Sequence, residues 1–152
     1  MGAQMLVQIV LGTGILMVSI LMAATSALAL EWLFGRMTPW LLAEPHQPKL
    51  VVLLAGVALW VLGVITASVW VWAFAIYAID ALPTLEESVY FSLVSFTTLG
   101  FGDVILPKEW RILSGMIAAN GFLNFGLLTA LMVEALRHVR LGQHEAKRKP
   151  RG

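Results

Sequence analysis

The chain has 152 residues, 59% of them hydrophobic, and a mean hydropathy of +0.85, which excludes a soluble domain and implies folding in lipid. It contains no cysteine, so a disulfide framework or a thiolate metal site is excluded. The formal charge of +1 conceals a basic cluster at the C-terminus: Arg137, Arg140, Lys147, Arg148, Lys149 and Arg151.

From Met1 to Leu30 no side chain is charged, and that length exceeds the roughly 20 apolar residues that a bilayer-spanning helix needs. This predicts an N-terminal transmembrane helix over 1–35, in which Gly12, Thr13, Ser19, Thr25 and Ser26 suit helix packing in lipid. A cleaved secretory signal is the rival reading, because Ala27-Leu28-Ala29 has the form of a cleavage site. Against it, no Lys or Arg precedes the apolar run, and the run is longer than a signal core. Residues 36–49 carry Pro39, Pro45 and Pro48, which predict a connecting loop, with His46 as a solvated loop histidine.

Leu50 to Ile79 is again uncharged and predicts a second span over 50–79, about 45 Å long at the helical rise. Trp60, Trp70, Trp72 and Tyr77 along it read as packing and interface residues. Asp80 to Pro83 interrupts the run. Thr84 followed by Glu87 then forms a capping box, with Glu86 and Glu87 at the positive end of a helix over 84–97. That helix is too short to cross a bilayer, yet it lies between two spans, the pattern of a re-entrant segment buried in protein.

Its C-terminal end delivers the chain into Thr97-Thr98-Leu99-Gly100-Phe101-Gly102-Asp103. Gly100 and Gly102 tolerate positive φ, and a strand alternating left- and right-handed backbone turns successive carbonyls toward one side. Four such strands around an axis would stack rings of oxygens able to replace the water shell of K⁺, with the Asp103 carboxylates drawing cations to the mouth. Taken alone, the motif also reads as a glycine turn with an acidic cap. One chain supplies a single column of carbonyls, so the ion-binding reading requires oligomerisation.

Pro107 to Arg111 form a polar turn before a third uncharged span, Ile112 to Val133, within a helix expected over 111–136. Gly115, Ala118, Ala119, Gly121 and Gly126 permit close approach or bending there. Asn120 and Asn124 either bond a neighbouring helix, the preferred reading, or face water. Arg36, Lys49 and the tail over 141–152 outweigh Lys108 and Arg111 in positive charge. The 36–49 loop and the C-terminus are therefore expected in the cytoplasm, and the glycine loop and N-terminus outside.

Span, short helix, T-T-L-G-F-G-D, span: over residues 50–140 this resembles the pore module of tetrameric potassium channels. The first 49 residues have no counterpart in the minimal two-helix channel. The resemblance implies an all-α membrane protein of three transmembrane helices, a re-entrant pore helix and a filter loop, assembled as a homotetramer in the plasma (inner) membrane. It implies K⁺ binding by Thr98, Leu99, Gly100 and Phe101 in a filter completed by Gly102, with Asp103 at the outer mouth. Tyr90, Phe91, Val94 and Thr97 would support that filter. Gly121 falls where the inner helix has its hinge glycine, Phe122, Phe125 and Thr129 toward the cavity, and Val133 and Glu134 at the inner constriction. Leu99 and Phe101 depart from the commoner valine and tyrosine, which removes a hydroxyl that ties the filter to the pore helix. Tyr90 is expected to compensate by bonding Asp103.

The implied function is passive K⁺ conduction, with permeant K⁺ in place of any cofactor and lipid as the surroundings. The alternatives are a weakly selective cation channel and a non-conducting subunit of a K⁺ uptake system. The N-terminal helix is expected outside the pore, against lipid and the second span, since it offers an ion no charged group. No arginine-rich sensor helix, nucleotide-binding loop or catalytic constellation is present, which argues against voltage sensing, enzyme activity and nucleic-acid binding.

Overall fold

The computed structural model describes the backbone of residues 2–42 and 46–148, and these are helical apart from the connections around a short re-entrant element. Helix α1 covers Gly2–Leu42, α2 His46–Ala78, α3 Leu85–Phe96 and α4 Arg111–Arg148, the last preceded by a single 3₁₀ turn, Lys108–Trp110. Three stretches are long and apolar enough to cross a membrane: Gly2–Arg36, Val51–Ala78 and Lys108–Glu134. The protein is therefore an all-α membrane protein, with no strand among the described residues.

The loop expected over 36–49 is much shorter, because α1 continues to Leu42 and α2 begins at His46. Pro48 is the third residue of α2, where a backbone N–H has no intrahelical acceptor to lose. Pro39 lies in the last turn of α1, where its missing N–H removes one bond near a fraying end. Pro45 falls outside the described residues, as do 149–152 of the expected tail. The tail's backbone from 141 to Arg148 continues α4 without a break.

Helix α2 ends in a Schellman turn. The Ala81 amide donates to the Ile76 carbonyl at 3.2 Å and the Asp80 amide to the Tyr77 carbonyl at 3.1 Å, while Asp80 takes the left-handed conformation at φ 51°. Ala81 and Ile76 are both buried in the main core, which supplies the apolar contact of that motif and turns the chain back toward α3.

Helices α1 and α4 run parallel in a constant register. The Gln8 side-chain carbonyl accepts from the Ile112 amide at 3.0 Å, and the Asn124 amide donates to Ser19 Oγ at 3.3 Å. Between them Gly12 lies against Leu113 and Met116, so closely that a Cβ there would sit 3.1 Å from Leu113 Cδ2. Helix α1 does meet α2, where Trp60 donates its indole N–H to Ser26 Oγ at 2.7 Å and Leu30 packs with Leu53 and Val57. Its more extensive contact, however, is with α4, which corrects the expectation of a helix lying on lipid and the second span. The small residues of α1 decide this: Gly12 opens a notch and Ser19 presents a hydroxyl on the face that the polar positions of α4 require.

The main core gathers Val69, Trp72 and Ile76 of α2, Phe91 and Phe96 of α3, and Leu113 and Ile117 of α4, with Leu11, Ile15 and Leu16 of α1 against its edge. Trp72 is fully buried here and serves packing, whereas Trp70 is exposed. This cluster holds the buried face of α3, where Phe91 and Phe96 lie, and so fixes where its C-terminal end points.

Candidate functional site

Helix α3 begins as its sequence directs. Thr84 is in extended conformation, and its side chain accepts from the Glu87 amide at 3.1 Å, an N-cap that leaves Glu86 and Glu87 in the first turn. At the other end Thr97 Oγ1 donates to the Leu93 carbonyl at 2.8 Å, and the Thr97 amide to the same carbonyl at 3.0 Å.

The next three amides also turn back into the helix. Thr98 donates to the Ser95 carbonyl at 2.9 Å, Leu99 to the Val94 carbonyl at 3.1 Å and Gly100 to that same carbonyl at 3.3 Å. With those amides facing α3, the carbonyls are left for something else. Among the described residues, no backbone amide donates to the carbonyls of Thr98 through Gly102.

The backbone alternates as well. Thr98 has φ 61°, Gly100 φ 56° and Gly102 φ 78°, while Leu99 and Phe101 between them are not left-handed. The two glycines adopt this freely; at Thr98 it costs a β-branched residue about 1–3 kcal/mol. Sequence reasoning named Thr98 but missed its left-handed backbone, since no residue-type signal predicts a left-handed threonine. Only the two-residue period of Gly100 and Gly102, extended backward, points to it.

Asp103 stands beyond this loop, and its carboxylate accepts from the Tyr90 hydroxyl at 2.5 Å. That bond, reinforced by the amides of Asp103 and Val104, holds the Asp103 carboxyl below the usual carboxylate range, against a desolvation that pushes the other way. Phe91 and Val94 are buried beside Tyr90, and Thr97 is half-buried at the turn. Leu99 and Phe101 are uncovered in the single chain, at 62% and 65% exposure.

On α4, Leu113, Ile117, Asn120, Gly121, Asn124 and Leu128 form the buried face. Phe122, Phe125, Thr129, Val133 and Glu134 are exposed. Phe125 still reaches α3, its ring centroid 6.3 Å from that of Phe96. Glu134 and Glu31 both line a cavity of about 370 Å³ between the far ends of α4 and α1, walled by Leu30, Phe34 and Leu131.

Gly121 has a task distinct from bending. The helix is unbroken through it, and the Phe96 carbonyl presses against it so closely that a Cβ would lie 2.6 Å from the carbonyl carbon and nearer still to the oxygen. Asn120 and Asn124 are turned toward the protein, as the preferred reading of the asparagines has it. The Asn124 amide donates to Asn120 Oδ1 at 2.7 Å as well as to Ser19.

Residues 51–138 match the family model described as "Ion channel", more than half of the chain, covering α2 from Val51, α3, the loop and most of α4. The chain belongs to this ion channel family. No curated protein and no solved structure matches it. Within the channel the match begins after α1, so the helix that packs along α4 lies outside the family's shared portion.

Proposed function

We propose that this channel is selective for K⁺ and conducts it passively as a homotetramer, with Thr98, Leu99, Gly100, Phe101 and Gly102 as the selectivity filter. The observation that carries the reading is the left-handed backbone at Thr98, Gly100 and Gly102. Alternation of this kind aligns carbonyls along one side, and the amides of Thr98 to Gly100 are already committed to α3. Four copies would supply the oxygen rings that replace the hydration shell of K⁺ at Thr98, Leu99, Gly100 and Phe101. Asp103, held ionised by Tyr90, would raise the local cation concentration at the mouth.

Four copies would also explain the uncovered apolar surface of one chain, which includes Leu99, Phe101, Phe122, Phe125 and Val133. In that assembly Phe122, Phe125 and Thr129 line the cavity and Val133 and Glu134 the inner mouth. The excess of basic residues around 36–49 and in the tail supports a cytoplasmic C-terminus in a plasma or inner membrane.

The test is reconstitution of this chain alone in liposomes, with reversal potentials measured under K⁺/Na⁺ bi-ionic conditions. The expected result is a current reversing close to the K⁺ potential. Equal permeation of Na⁺ would replace this reading with a weakly selective channel, and absence of flux from an assembled protein would replace it with a subunit that needs a partner to conduct.

A further inference from the structure

Three polar side chains are buried at the seam between α1 and α4, one on the helix outside the family match and two within it. Ser19 is 0% exposed, Asn120 0% and Asn124 3%. Asn124 donates to Ser19 Oγ on α1, to Asn120 Oδ1 at 2.7 Å and to the Asn120 carbonyl at 2.9 Å. Burying two carboxamides and a hydroxyl in a membrane core is unfavourable unless they bond one another, so they fix how α1 sits on α4. Gln8 on the Ile112 amide and Gly12 against Leu113 and Met116 repeat the same register toward the outer side.

The next residue after Asn120 is Gly121, which bears on the Phe96 carbonyl, the last carbonyl of α3. From there the chain passes directly to Thr97 and the amides of Thr98, Leu99 and Gly100 that are tied to Ser95 and Val94. A continuous set of contacts therefore runs from Ser19 through Asn124 and Asn120 to Gly121, Phe96 and the loop. A movement of α4 at residues 120–124 displaces backbone against backbone at Gly121, where no flexible side chain absorbs it.

We infer that α1 is part of the machinery that holds the filter. Ser19, Asn124 and Asn120 are positioning residues that press Gly121 onto the end of α3, and loosening them frees the loop to leave its alternating conformation. This rests on the filter reading given above and extends it to a helix outside the family match.

The experiment compares Ser19→Ala, Asn124→Leu and the double variant with Thr25→Ala, a control on α1 whose hydroxyl bonds only its own helix at Leu21 and Met22. Two readouts are taken from full-length reconstituted protein: current decay at constant stimulus with outside K⁺ varied, and amide hydrogen exchange at Leu99 and Gly100. Ser19→Ala is expected to speed decay at low outside K⁺ by about threefold, the equivalent of one average intramembrane hydrogen bond, or by about sixtyfold if four subunits act in concert, and Asn124→Leu, which also removes both bonds to Asn120, by more. They are also expected to speed exchange at Leu99 and Gly100, and the double variant to fall short of the product of the singles, as for one shared bond. Thr25→Ala should match wild type. Assembled variants with wild-type exchange at Leu99 and Gly100 would overturn the inference, whatever they conduct. Faster exchange in a protein that passes no K⁺ would uphold the positioning role and defeat the K⁺ reading instead.

Discussion

Gly121→Ala adds one carbon at the point where α4 meets the backbone of α3. That carbon would lie 2.6 Å from the Phe96 carbonyl carbon and 3.0 Å from its Cα, whereas ordinary contact begins at 3.4 Å. The carbonyl oxygen would be nearer still, so the two helices must separate by well over an ångström. Overpacking of this size costs about 1–3 kcal/mol, and the upper end applies because both sides are main chain. A loss of about 3 kcal/mol per subunit is a large share of the net stability of a folded domain. Gly126→Ala is the internal comparison: nothing lies within 4 Å of a Cβ there, so it should gain up to about 1 kcal/mol from helix propensity alone. Thermal unfolding of the purified assembly, followed in parallel with K⁺ flux in liposomes, should show Gly121→Ala melting well below wild type and Gly126→Ala at or above it. If Gly121→Ala keeps wild-type stability and changes only how often the channel opens, Gly121 is a hinge and the contact argument fails.

Tyr90→Phe removes the donor to Asp103 at the mouth of the loop. Current decay at low outside K⁺ should quicken by about 2- to 13-fold, the range of one net hydrogen bond, and an unchanged rate would mean that packing alone holds the loop. Phe101→Tyr should preserve the K⁺/Na⁺ permeability ratio and slow the same decay, measured in the same recordings. Because the Asp103 pKa is depressed, the Tyr90 bond is fully present above the ordinary carboxylate range and is lost only as pH falls through the lower, folded value. Decay should therefore be insensitive to outside pH from neutrality down to that range and speed up only below it. Thr84→Ala deletes the N-cap of α3, a loss of about 1 kcal/mol that thermal unfolding should register without altering the reversal potential.

The membrane class and the re-entrant segment were legible because uncharged runs, the Thr84 to Glu87 spacing and the breaks at Asp80 and Pro107 are all local signals. Gly100 and Gly102 announced two of the three left-handed positions in the loop; the one at Thr98 stayed hidden, since threonine has no preference for it and the bond of its amide back to the Ser95 carbonyl is not written in residue type. The prolines misled at 36–49, because Pro39 and Pro48 fall in terminal turns, where the helix tolerates them. Gly121 shows a different limit. A glycine that bends a helix and one that admits a neighbouring carbonyl are identical in sequence, and only the position of Phe96 distinguishes them. Likewise, nothing in the string of residues pairs Ser19 with Asn124 across a separation of 105.

The parallel register of α1 on α4 bears on how the chain enters the bilayer during its synthesis. The third span is the least apolar of the three, and it buries two asparagines on the face turned to α1. About 70 residues separate the end of α1 from the start of α4, an interval of roughly 3–15 s of translation. By the time Asn120 and Asn124 leave the ribosome, Ser19 is already in the membrane. The least apolar span thus finds the hydroxyl that its asparagine bonds on a helix made before it.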